Sequence, residues 1–107
     1  MTAVADVTVA DDLAQVRQLV LAGLGVYSAR VYLFGRATGR TRRASDIDVT
    51  VWPLVDLPEG TLAIIREALF ESTVPYTVDL VDLLDTDAAF RTRVLAEGVL
   101  WHEPENA

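Results

Sequence analysis

Asp46 and Asp48 stand two residues apart at the head of an apolar run, Ile47 to Trp52. On an extended chain residues i and i+2 point to the same side, about 6.6 Å apart, so both carboxylates can reach one divalent cation. Ile47, Val49 and Val51 then face the opposite way, the period-two alternation of a half-buried strand. Mg²⁺ takes oxygen ligands, commonly one or two carboxylates completed by substrate phosphates. The residues ahead of the pair suit such a substrate: Gly35 follows Val31-Tyr32-Leu33-Phe34, and Arg36, Gly39, Arg40, Arg42 and Arg43 fill the loop that leads to Asp46. Glycine lets the backbone approach an anion, and arginine pairs with phosphate in a bidentate fork. Alone, the four arginines are as compatible with a solvated loop; their place between Gly35 and Asp46 in an acidic chain favours anion binding. A nucleoside triphosphate suits both halves of the site.

A third carboxylate comes from the run Tyr76 to Leu84, where Thr77, Asp79, Val81 and Leu83 share one face and Val78, Leu80 and Asp82 the other. Only one of its two aspartates can look toward Asp46 and Asp48. Asp79 lies deeper in the run, and a carboxylate amid apolar neighbours is costly unless something pairs with it, so Asp79 is the expected partner and Asp82 a surface or strand-end residue. Ser45 suits a loop hydrogen bond. His102, beside Trp101 and Glu103, reads as a strand-end residue, Trp52 and Trp101 as packing or contact residues, and Asp11, Asp12, Asp85 and Asp87 as helix starts.

The elements that must hold these groups follow from periodicity and punctuation. Residues 1–10 read as a lead-in in which Val7 and Val9 could pair weakly as an edge. A helix is predicted from Asp11 or Asp12, with Gln15 in a capping-box position and Leu13, Val16, Leu19, Val20 and Leu24 inward, ended by Gly23 and Gly25. Strands are predicted from Ala29 or Arg30 to Phe34 and from Ile47 to Trp52, and residues 36–45 as a helical turn and loop. Asp56 and Pro58 resemble the N-cap and N1 of a second helix carrying Leu62, Ile65, Ala68 and Leu69 inward and fading at Ser72 and Thr73. The strand Tyr76 to Leu84 follows. Then comes a third helix, capped by Asp85 to Asp87 and burying Ala89, Phe90, Val94 and Leu95, with Gly98 as its stop, and a short strand Val99 to His102.

With 107 residues the chain matches a single domain, residues 1–107, with an ordered core over about 11–102. Hydrophobic residues make up 51%, too many for a disordered segment. No cysteine is present, which removes disulfides and thiolate metal sites. No leader-like or long apolar segment appears, and a cytoplasmic protein without membrane contact is expected. The net charge of −7 argues against direct nucleic-acid binding, which needs a basic stripe; small nucleotides are compatible with it.

Leu33-Phe34-Gly35, then Ser45-Asp46-Ile47-Asp48-Val49, then a third aspartate in an apolar strand, resembles the minimal nucleotidyltransferases of the DNA polymerase β superfamily, the MNT-type antitoxins. The ending from Phe90 through Arg93-Val94-Leu95 to Glu97-Gly98-Val99-Leu100 is also similar to the close of these short proteins. The resemblance covers residues 11–102 and implies an α/β (α+β) nucleotidyltransferase fold, polymerase β palm-like: a small mixed β-sheet with helices packed mainly on one face. It implies that Asp46, Asp48 and Asp79 bind Mg²⁺ and do the catalysis, with Asp79 helping to deprotonate the attacking hydroxyl, and that Gly35 brings backbone N–H groups to the triphosphate. The family pattern has serine directly after this glycine; here Arg36 stands there, either a phosphate clamp or a block on the phosphate seat.

By the same resemblance the partner is an all-helical HEPN-type ribonuclease toxin and the reaction transfers AMP from ATP to a tyrosine hydroxyl on it. A chain of this size leaves no separate domain to hold a small substrate, so the partner is expected to complete the site. Two other functions are open: a catalytically weak or inactive antitoxin that neutralises the toxin by covering it, which the acidic charge suits, and a nucleotidyltransferase acting on a small molecule of aminoglycoside type.

Overall fold

The computed structural model describes residues 3–34 and 46–104, with side chains over 11–34 and 47–104. The order is α1 (Ala3–Leu24), β1 (Ala29–Phe34), β2 (Asp46–Pro53), α2 (Thr61–Glu71), β3 (Thr77–Asp82), a 3-10 turn over Leu83–Asp85, α3 (Ala88–Glu97) and β4 (Val99–His102). The four strands form one mixed sheet in the order β3-β2-β1-β4. β1 lies antiparallel to β2 and to β4, while β2 and β3 run parallel. A parallel pair needs a crossover, and α2 supplies it.

The alternation along the strands divides the sheet into two faces. Val31, Leu33, Ile47, Val49, Val51 and Leu80 pack on Val16, Val20 and Leu24 of α1 and Ile65 and Leu69 of α2. Tyr32 and Phe34 turn the other way and pack with Leu83 and with Val94 of α3, flanked by Trp52 and Phe90. Two helices therefore cover one face and the third covers part of the other.

Several boundaries differ from the sequence reading. α1 begins at Ala3, not at Asp11 or Asp12; residues 3–22 contain no glycine or proline and are rich in alanine, so nothing stops the helix in that direction, and Val7 and Val9 are helical rather than an edge strand. Gly23 lies inside α1, where a Cβ would run into the Ile65 side chain of α2; its role is close helix approach. Gly25, with φ of +60° and its N–H donated to Leu21 O at 3.1 Å, ends the helix.

α2 starts at Thr61, with Gly60 at φ of +87° before it. Pro58 is not its first residue; the Pro58 carbonyl accepts from the Thr61 amide at 3.1 Å and the Thr61 hydroxyl at 2.7 Å, which makes 58–61 a tight turn. β3 stops at Asp82 rather than Leu84 because the Asp82 carboxylate accepts the Leu84 amide at 2.9 Å and bends the chain, dropping Leu83 into the core. α3 is capped by Asp87, which accepts the Phe90 amide at 2.8 Å. Val94 is its one fully buried residue, whereas Ala89 and Leu95 are exposed. Gly98 ends it where a Cβ would sit 2.7 Å from Val94 O. Among the described residues no helix is long and apolar enough to cross a membrane.

Candidate active site at the head of two parallel strands

The parallel register aligns Asp46 with Thr77, Ile47 with Val78, and Asp48 with Asp79. Partners on neighbouring strands share a face and lie about 4.8 Å apart, so Asp48 and Asp79 stand side by side on the face that α3 partly covers. Asp48 is half-buried and Asp79 exposed. Asp82 falls opposite Val51, on the α1 and α2 face, and is occupied as the cap of the 3-10 turn. Asp46 is the first residue of β2, two positions before Asp48. Gly35, Arg36, Gly39, Arg40, Arg42, Arg43 and Ser45, with the turn and loop expected over 36–45, lie outside the described residues, as does the side chain of Asp46. Among the described residues no three His, Cys, Asp or Glu side chains form a metal-sized cluster; the described part of the expected trio is the pair Asp48 and Asp79.

On the other side of β2, Phe34 is the antiparallel partner of Asp48, and Tyr32 that of Thr50. Phe34 is the last residue of β1, so the two carboxylates sit at the end of the sheet where the chain leaves β1. The Phe34 ring is held edge-on by Phe90 of α3, with centroids 6.0 Å apart and planes at 76°. The Arg93 guanidinium lies 5.4 Å from the centre of the same ring. Deeper on this face Thr50 is fully buried, and Arg30 stacks 5.5 Å from the Trp52 ring while donating to Glu103 at 2.9 Å. Burial pushes the Tyr32 phenol up in pKa, opposed by the Arg30 charge and reinforced by Glu103, so the phenol is a neutral floor to this face.

β3 is an edge strand, and along its outer side runs a cleft of about 650 Å³ lined by Arg66, Phe70, Tyr76, Thr77 and Asp79, among others. Arg66 closes part of the open edge by donating through Nε and Nη2 to Leu80 O at 3.1 and 2.9 Å. Phe70 is 89% exposed there. Asp79 thus stands beside the neighbouring carboxylate on one side, and on the other its strand borders this cleft, which α2 lines from the opposite face of the sheet. Neither this cleft nor Arg93 stands out in the sequence. The cleft depends on how α2 meets β3, which no local pattern reports; for Arg93 the available signal was its spacing of three from Phe90, which puts both on one helix face.

Trp101 packs against the larger core and His102 is the last residue of β4, opposite Val31. Asp87 caps a helix, whereas Asp11 and Asp12 lie within α1 and Asp85 within the 3-10 turn.

No family model matches the chain, and no curated protein sequence is similar to it. Solved structures are. A chain of the toxin–antitoxin complex MntA–HpeT, in a mutant with two aspartates two positions apart changed to glutamate, superposes with a TM-score of 0.66 at 20% identity, covering 87% of this chain and 74% of that one. A toxin–antitoxin structure with AMP-PNP gives 0.62 at 22% identity, covering 90% and 74%. A complex of tri-AMPylated Shewanella oneidensis HEPN toxin with MNT antitoxin gives 0.62 at 22%, covering 89% and 75%. The mixed sheet and three helices of this chain are the fold of those structures.

Proposed function

We propose that the chain is a nucleotidyltransferase antitoxin that transfers AMP from ATP to a tyrosine hydroxyl of a HEPN-type ribonuclease toxin. The observation that carries this reading is the register of β2 and β3, which sets Asp48 beside Asp79 with Asp46 two residues upstream. The shared fold supports it, because the structures that have this fold include one with AMP-PNP and one whose HEPN toxin is AMPylated.

In the proposed reaction the acceptor oxygen attacks the α-phosphorus of ATP while the bond from that phosphorus to the bridging oxygen breaks. Pyrophosphate leaves with the bonding pair, and the hydroxyl proton passes to an Oδ of Asp79. Asp79 is suited to this by exposure: it stands on the edge strand of the sheet, open to an approaching protein side chain. The donor set fits Mg²⁺, being adjacent carboxylates without nitrogen or sulfur ligands, and Asp46, Asp48 and Asp79 would hold it. Bound there, the ion supplies neutralisation of phosphate charge. By the family pattern Gly35 would give its backbone to the triphosphate, and Arg36, in place of the serine hydroxyl, would either clamp the phosphate or block its seat.

Intact-mass spectrometry of the toxin after incubation with the chain, ATP and Mg²⁺ tests the reading. A gain of one or more AMP units is expected, and none with Asp48→Ala, whose fold should survive because removing one of two neighbouring carboxylates also removes their repulsion. An inhibited but unmodified toxin would overturn transfer in favour of neutralisation by covering.

A further inference from the structure

Five arginines lie among the described residues, and four of them have a hydrogen-bond acceptor. Arg17 donates to Trp101 O, Arg30 to Glu103, Arg66 to Leu80 O and Arg91 to Thr86 O. Arg93 differs: among the described residues its guanidinium pairs with the face of the Phe34 ring and with no hydrogen-bond acceptor. A guanidinium stacked on an aromatic ring is held in position while its N–H groups, which lie in its own plane, remain able to reach an acceptor.

The location of that cation is specific. Phe34 is the register partner of Asp48, and Asp48 of Asp79. Across the end of the sheet, β3, β2 and β1 therefore present in turn an exposed carboxylate, a half-buried carboxylate and a ring-mounted guanidinium. Such a row has a direction. In the transfer reading the acceptor hydroxyl comes in at the edge strand beside Asp79, so the leaving group in an in-line displacement points away from β3, toward β1 and its last residue, Phe34.

We infer that Arg93 is a phosphate-binding residue that holds the β- and γ-phosphates of the nucleoside triphosphate, the part that leaves as pyrophosphate. The inference rests on the transfer reading above and deepens it by assigning the leaving-group side of the site to α3. The chemistry requires such a group: in a chain of net charge −7, carboxylates and a polyphosphate share one end of the sheet, and a fixed cation offsets charge without the ordering cost of a free arginine.

Calorimetric titration of the isolated chain in Mg²⁺ with three probes, ATP, AMP and pyrophosphate, tests the assignment. Arg93→Gln should weaken ATP and pyrophosphate about tenfold, the scale of one lost charge-assisted contact, and leave AMP within about twofold. Arg93→Lys keeps the charge and the ring contact but loses the fork, so it should weaken ATP about threefold, and it decides the matter should the glutamine variant fail to fold. ATP affinity equal to wild type in both variants overturns the inference, as does an equal loss for all three probes, which would mark Arg93 as a packing residue. A wild-type chain that binds no ATP overturns the transfer reading beneath it as well; wild-type binding that the variants leave unchanged overturns this inference alone.

Discussion

Replacing Asp79 with asparagine keeps shape and hydrogen-bonding capacity while deleting one of two neighbouring charges, and the structure gives the sign of the result in each condition. Without divalent metal, Asp79 and its register partner Asp48 repel. At a strand spacing of about 4.8 Å, in the water-like dielectric suited to an exposed group, two unit charges cost about 0.9 kcal/mol. A chain of 107 residues shifts by about 4 °C in melting temperature per kcal/mol, so in EDTA at low salt Asp79→Asn should melt about 4 °C above wild type. Mg²⁺ at ten times its dissociation constant stabilises a competent site by about 1.4 kcal/mol, and wild type should then rise by about 6 °C. The variant, lacking one ligand, should lose most of that rise. The two proteins therefore exchange order when the metal is added, and differential scanning fluorimetry with and without Mg²⁺ reads it directly. A variant that melts below wild type in EDTA, or that keeps the full response to Mg²⁺, would refute the pairing of these carboxylates at one ion.

Two further substitutions probe the element that carries Arg93. Asp87→Ala removes the side chain that accepts the Phe90 amide and should lower stability by about 1 kcal/mol, seen as a lower urea midpoint at unchanged slope. Gly98→Ala would place a methyl 2.7 Å from Val94 O and 3.4 Å from Leu33 O, both backbone atoms that cannot step aside as a flexible side chain can; a loss of about 1–3 kcal/mol is expected in the same measurement.

Strands were the most legible part of this chain. Ala29 to Phe34 and Val99 to His102 are bounded by local chemistry, and Pro53 closes β2 one residue beyond the predicted end. Of the helix starts only that of α3, capped by Asp87, was legible; elsewhere cap-like residues occur where no helix begins: Asp12 sits in mid-helix, and Asp56 with Pro58 precedes a turn that Gly60 completes. The end of β3 is hidden in the sequence because Leu83 continues the apolar pattern although Asp82 has already bent the chain. Strand parity separated Asp79 from Asp82 as lying on opposite faces, and the register sets Asp79 beside Asp48. Which face each helix covers was beyond one sequence: α3 has a weak apolar stripe with a single fully buried residue, so nothing local announces that it lies on the face with the carboxylates and brings Arg93 there.

The pairing of β2 with β3 has a kinetic consequence. Asp48 and Asp79 come from strands separated by the whole of α2, and their alignment is parallel, so it forms only after a long loop has closed. A hairpin can assemble β1 with β2 early, but the two carboxylates meet only when the crossover is complete. Any cation that bridges them then acts on the reverse journey: it ties together a contact that is made late, and so slows unravelling of the chain while leaving its rate of assembly nearly unchanged.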